Sequence, residues 1–138
     1  MRTVSDEERR ARLARRHALA PEHWTRSVEA AVEAMVCLHA TEPANVYLST
    51  FARTGASRAT IDRALYTERS VVRQLAMRRT VFAFGRDLLP AVLGSASARV
   101  AAQLTTRLAK EVEVAGFALD GEAWVARTRA AVLDHLSA

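Results

Sequence analysis

Cysteine is almost missing from this sequence: Cys37 stands alone among 138 residues. A lone cysteine excludes a disulfide framework and a thiolate metal cluster, and it suits a reducing compartment. Cys37 lies in an apolar helical pattern and is expected as a small buried hydrophobe. Glycine is scarce too, with five residues, each readable as a turn or helix cap. That leaves no Gly-rich phosphate loop and no GxSxG elbow. No apolar run approaches the roughly 18 residues of a membrane span. The charged stretch from Met1 to Arg16 lacks the apolar segment of a secretory signal. His17, His23, His39 and His135 are scattered without metal-ligand spacing. Neither a metal nor another cofactor is expected, and a cytoplasmic protein without membrane contact is the reading these absences favour.

Half of the residues are apolar, enough for a packed core. The formal charge of +5 is unevenly spread. Residues 1–52 carry seven arginines against seven acids, and residues 100–138 carry four bases against five acids. Residues 53–99 carry nine arginines against only Asp62, Glu68 and Asp87. Lys110 is the one lysine; every other cation is arginine. The planar guanidinium donates two parallel hydrogen bonds to phosphate. A genome rich in G and C would favour arginine equally, but it would not keep acids out of the middle third.

Local signals divide the chain into helices. Ser5 with Glu8 has capping-box spacing ahead of a helix to about Leu19, with Leu13 able to face inward and Pro21 as the stop. A second helix is expected from Arg26 to Ala40, where Val28, Val32, Met35 and Val36 recur at helical intervals. A third runs from Ala44 to Arg53, with Gly55 as its left-handed cap. Ser57 caps a fourth, which restarts at Ser70 and carries Val71, Val72 and Leu75. Arg79 to Phe84 is the clearest strand signal, closed by Gly85. Asp87 caps a short helix with Pro90 in its first turn, ending near Gly94. A long helix spans Ala96 to Ala115 with Gly116 as its stop, and a last one begins near Asp120. The fold class expected is mainly α, winged helix-turn-helix-like, with one short β element and long C-terminal helices.

Two blocks carry a family resemblance. One is Leu38-His39-Ala40-Thr41-Glu42-Pro43-Ala44-Asn45-Val46-Tyr47-Leu48-Ser49 with Phe51-Ala52-Arg53. The other is Leu75-Ala76-Met77-Arg78-Arg79-Thr80-Val81-Phe82 followed by Arg86-Asp87-Leu88-Leu89-Pro90. Both resemble the winged-helix DNA-binding domain family that includes the azinomycin-resistance and crosslink-unhooking bacterial DNA glycosylases. Members are longer, with tandem winged helices and a β-barrel. The resemblance therefore implies an N-terminal portion: residues 1–95 as a first winged-helix domain, and residues 96–138 as a connecting helix and the start of a second, truncated domain. Catalysis in the glycosylase members is placed on a Gln-x-Gln or Gln-x-Asp motif. The matching positions are His39 and Thr41 around Ala40, neither an amide nor a carboxylate. Glu42 follows one position out of register. The resemblance thus implies a catalytically silent relative.

The function expected is double-stranded DNA binding, mainly through phosphate contacts. Arg58, Arg63, Arg69 and Arg73 around the fourth helix, with Arg78 and Arg79 at the strand entrance, are the candidate contacts. Two alternatives stay open. An active glycosylase would use His39 as a general base with Thr41 or Glu42; otherwise His39 caps the last carbonyls of its helix and Thr41 only ends it. A helical interaction or homo-oligomerisation module would use apolar residues near Trp124, Val125, Val132 and Leu133.

Overall fold

A computed structural model describes residues 3–137; Met1, Arg2 and Ala138 lie outside the described residues. Helix α1 covers Asp6–Arg16, and the Ser5 hydroxyl accepts the Glu8 N–H at 3.1 Å, as the capping box requires. It stops earlier than expected, because Ala18 takes a left-handed backbone at φ 51°. Leu13 does not turn inward: it is 43% exposed, and α1 has no buried residue.

Helix α2 covers Val28–Ala34 and is capped by Ser27, whose hydroxyl accepts the Ala30 N–H. Its expected continuation to Ala40 does not form. Val36 sits at φ 67° and turns the chain out of the helix. Leu38–His39 then enters the sheet as strand β1. Helix α3, Pro43–Thr54, ends at Gly55 in the left-handed conformation, whose N–H bonds to the Phe51 carbonyl at 2.8 Å. Only a residue without Cβ takes that cap at little cost. Ser57 caps α4, Arg58–Asp62, which continues as a wide π-turn through Thr67.

The expected restart of this helix at Ser70 is also corrected. Val71–Leu75 is strand β2, and it pairs antiparallel with β3, Val81–Gly85. The β-branched pair Val71-Val72 fits a pleated strand better than a helix. With β1 paired antiparallel to β3, the sheet has three strands in the order β1-β3-β2 rather than a single β element. The resulting sequence of helix, strand, helix, helix, hairpin is winged-helix-like, and the fold is mainly α with long C-terminal helices.

Two cores flank the sheet. Val28, Val32, Leu38, Val46, Ile61, Leu65, Val71 and Ala83 form the first, between the sheet and helices α2 to α4. Closing off one such aliphatic side chain contributes about 1.5–3 kcal/mol. Phe84, Ala76 and Val92 form the second, with Cys37 and Phe82 packed against it. Cys37 is half-buried rather than fully enclosed, and burial pushes its thiol pKa up. Pro90 does stand in the first turn of α5, Leu89–Val92, but Gly94 does not end the helix. The backbone continues helically as a π-turn into α6, Ala98–Val114. Ser97 fastens this segment to the sheet, donating from Oγ to the Leu75 carbonyl at 2.6 Å. Gly116 at φ 74° closes the long helix as expected, and α7 covers Gly121–Ser137 against α6.

Candidate nucleic-acid interface

The six candidate arginines are all exposed and divide among four parts of one region. Arg58 begins α4 and Arg63 opens the π-turn that extends it. Arg69 lies in the turn into β2, Arg73 is on β2, and Arg78 and Arg79 form the tip of the β2–β3 hairpin. Their engagement differs. Arg58 meets Asp62 one helical turn on, at 3.6 Å, and Asp62 also accepts the Tyr47 hydroxyl. That hydrogen bond raises the Tyr47 pKa well above the ordinary tyrosine range, with burial adding to the effect. An ion pair so exposed contributes little to stability. The i,i+4 spacing of Arg58 and Asp62 was a readable signal for this pair.

Arg73 is held differently. Its Nη2 donates to the Ala40 carbonyl at 3.0 Å, reaching across the sheet to the end of β1. Register explains the reach. Arg73 opposes Ala83, and Ala83 opposes Leu38, so a small residue occupies the strand between. Nothing in the residue pattern announced this contact. Arg63, Arg69, Arg78 and Arg79 make no ion pair among the described residues. Arg63 lines a shallow groove of about 290 Å³ with Arg26, Thr60 and Glu68. Arg53 belongs to the same basic stretch but is turned into the protein. Its Nη1 donates to the Ser49 carbonyl, its Nε has no partner, and burial lowers its pKa. It is therefore not a free phosphate ligand.

Ser70, beside Arg69, donates to Glu29 on α2 and so fixes the entry to β2. That bond is the main influence holding the Glu29 carboxyl below its ordinary value, against an opposing effect of burial.

His39, Thr41 and Glu42 are all exposed. His39 is in strand β1, not at a helix C-terminus, so it has no helix carbonyls to cap; that expectation fails with the early end of α2. Its ring stands edge-on to Phe82 with centroids 5.5 Å apart. Thr41 likewise ends no helix, and Glu42 precedes α3 without bonding back to it through its side chain. No hydrogen bond joins these three side chains. The arrangement holds Arg73 against the middle of this segment, but it supplies no linked acid–base pair. No group of three His, Cys, Asp or Glu side chains among the described residues could hold a metal ion. No helix among them is long and apolar enough to cross a membrane.

The profile of the family described as DNA glycosylase AlkZ-like matches residues 32–138, from the middle of α2 through α7. The chain belongs to the AlkZ-like DNA glycosylase family. Membership agrees with the resemblance carried by the blocks at Leu38 and Leu75, both within the matched span. It relates this AlkZ-like chain to DNA-repair glycosylases and makes DNA the implied partner. No curated protein and no solved structure matches the chain.

Proposed function

We propose that this chain is a winged-helix module that binds double-stranded DNA through phosphate contacts and is catalytically silent at His39, Thr41 and Glu42. One observation carries the reading: exposed arginines stand both on α4 with its extension, taken here as the second helix of an α3–α4 helix-turn-helix, and on the β2–β3 hairpin that follows. In helix-turn-helix proteins that second helix enters the major groove, and a hairpin beside it is positioned to reach the flanking backbone. Contacts of this kind give affinity and register with little sequence choice. Residues 1–95 are the DNA-binding unit in this proposal, and residues 96–138 belong to a connecting helix and a following domain. A cytoplasmic location belongs to the same reading.

Silence is supported by the side chains at the motif positions. An imidazole and a hydroxyl stand where the family's chemistry uses amides or a carboxylate, and Glu42 is not joined to either. Fluorescence anisotropy with a labelled mixed-sequence duplex at low salt tests the binding. A saturable rise is expected, and no measurable binding removes the reading. Incubation with alkylated duplex tests the silence. No abasic sites are expected, whereas base release that His39→Ala abolishes establishes the glycosylase alternative.

A second reading rests on the C-terminal helices. On α6, α7 and the loop between them Val114, Phe117, Leu119, Val132, Leu133 and Leu136 are large apolar side chains left exposed, whereas the expected Trp124 and Val125 are half-buried. Such a surface suits a neighbouring domain or a second copy. Sedimentation at rising concentration separates the cases: a self-associating surface gives a dimer, and a monomer throughout removes the homo-oligomer.

A further inference from the structure

Helix α1 buries none of its 11 residues, and Leu13, its one large apolar side chain, is 43% exposed. A helix this short is marginal in water on its own, so neither packing nor length accounts for it. Its surface is basic. The acids of the first third gather at Asp6, Glu7 and Glu8 and resume only at Glu22. Residues 9–21 therefore carry Arg9, Arg10, Arg12, Arg15 and Arg16 with no carboxylate among them. The helix dipole favours acids in a first turn and cations in a last turn, which covers Arg15 and Arg16 but not the three arginines before them. All five are exposed. Arg12 pairs with Glu8, and the other four make no ion pair among the described residues.

The surroundings of α1 tie this charge to the helix-turn-helix. Glu8, Ala11, Arg12 and Arg15 form one wall of a cleft of about 340 Å³, and His23 forms the other. Arg9 and Arg16 lie three residues before Arg12 and four after it, so they continue the same stripe along the helix. The residues that follow His23 are fixed to the turn between α3 and α4. Thr25 N donates to the Arg53 carbonyl at 2.8 Å. The Trp24 ring packs over Gly55, 3.2 Å from where a Cβ would stand. Just past Gly55, Ser57 caps α4, the helix assigned above to the major groove. Residues 3–31 precede the span matched by the family profile, so membership does not account for this cleft. The occupant its charge fits is a polyanion, since α1 lacks the apolar face of a membrane-surface helix. Attachment beside α4 favours the duplex that α4 enters over a separate acidic protein.

We propose that α1 and its cleft with His23 grip the phosphate backbone of duplex DNA beyond the segment held by the winged helix. The proposal rests on the duplex-binding reading above. The full chain is titrated with salt on two mixed-sequence duplexes. One has about 12 base pairs, little more than a helical turn, and the other about 30, roughly 100 Å of helix. The short duplex leaves no backbone for α1 and should give a log–log slope near −4. On the long one the slope should be steeper by about 3, one contact each for Arg9, Arg15 and Arg16. Arg9→Gln with Arg15→Gln and Arg16→Gln preserves helix propensity and should return the long-duplex slope to about −4. Its Tm should stay within about 2 °C of the parent, because α1 buries nothing. Lysine at the same three positions keeps the charge and should keep the steeper slope. A steeper slope that never appears, survives in the glutamine variant or is lost in the lysine variant overturns the α1 grip and leaves duplex binding intact. A Tm lowered by more than about 5 °C in the glutamine variant makes these arginines structural and overturns it as well. Poly-glutamate bound more tightly than the long duplex, in a manner lost with the glutamines, assigns α1 to an acidic polypeptide instead. Absence of binding to either duplex by the unaltered protein overturns the duplex reading and this inference together.

Discussion

Arg73 and Ala40 are joined across the sheet although 33 residues separate them, the guanidinium donating to the carbonyl at 3.0 Å. The bond pins the segment between His39 and Thr41 to strand β2. Ala40 is itself fully buried, and its N–H donates to the Val81 carbonyl at 2.9 Å. Both sides of this peptide are thereby fixed. The basic strand and the segment from His39 to Thr41 are one structural unit.

Arg73→Ala should therefore act on structure as well as charge. A loss of about 1.5 kcal/mol is expected, the low end of the range for a hydrogen bond from a charged donor, because Arg73 is exposed. Hydrogen exchange localises the effect: the Ala40 amide should lose protection while amides of α6 keep theirs. Uniform change across the chain would refute the local role.

The Glu29–Ser70 bond makes a pH prediction. Its carboxyl is held below the ordinary 4.5, so the charged form is favoured in the folded state. A depressed folded-state pKa gives stability that is complete above the unfolded value and is lost as pH falls through the folded one. Ser70→Ala should cost about 1 kcal/mol at neutral pH. That difference should shrink as the pH falls below 4.5, the ordinary value. Denaturant unfolding of both proteins at several pH values measures it.

Gly121 is a packing requirement. A Cβ there would lie 2.0 Å from the Ala109 carbonyl oxygen of α6, and the Gly121 N–H donates to Glu113 at 2.9 Å. Gly121→Ala should push α7 off α6 and lower stability by about 1–3 kcal/mol. A thermal melt unchanged from the parent would show that the helices are not packed this closely.

Most helices were legible because their ends carry ordinary signals: Ser5 and Ser57 as caps and Gly55 and Gly116 as left-handed stops. Most of the misread boundaries share one physical cause. Val36, Arg69, Arg78 and Arg79 turn the chain in conformations that their residue types disfavour, so nothing in composition marks those turns. Missing the turn at Val36 merged β1 into α2, and missing the one at Arg69 hid β2. Of the candidate site, the arginines were readable from charge distribution. The Arg73–Ala40 bond was not, because it depends on strand register.

The same cause yields a stability test. Val36 is a β-branched, 62% exposed residue at a left-handed position. Val36→Gly should stabilise the protein by about 1 kcal/mol through relief of that strain, even after the entropy glycine adds to the unfolded chain. Equilibrium unfolding reads the sign directly.

The salt dependence of duplex binding bears most directly on the central claim. Arg63, Arg69, Arg78 and Arg79 are the candidates without an ion pair among the described residues, and each phosphate contact contributes about 0.9 to the slope of log Kobs against log salt concentration. Titrating a mixed-sequence duplex from about 25 to 200 mM salt should give a slope near −4. Binding that does not weaken with salt, or that is absent at the lowest concentration, would contradict an arginine grip on the phosphate backbone.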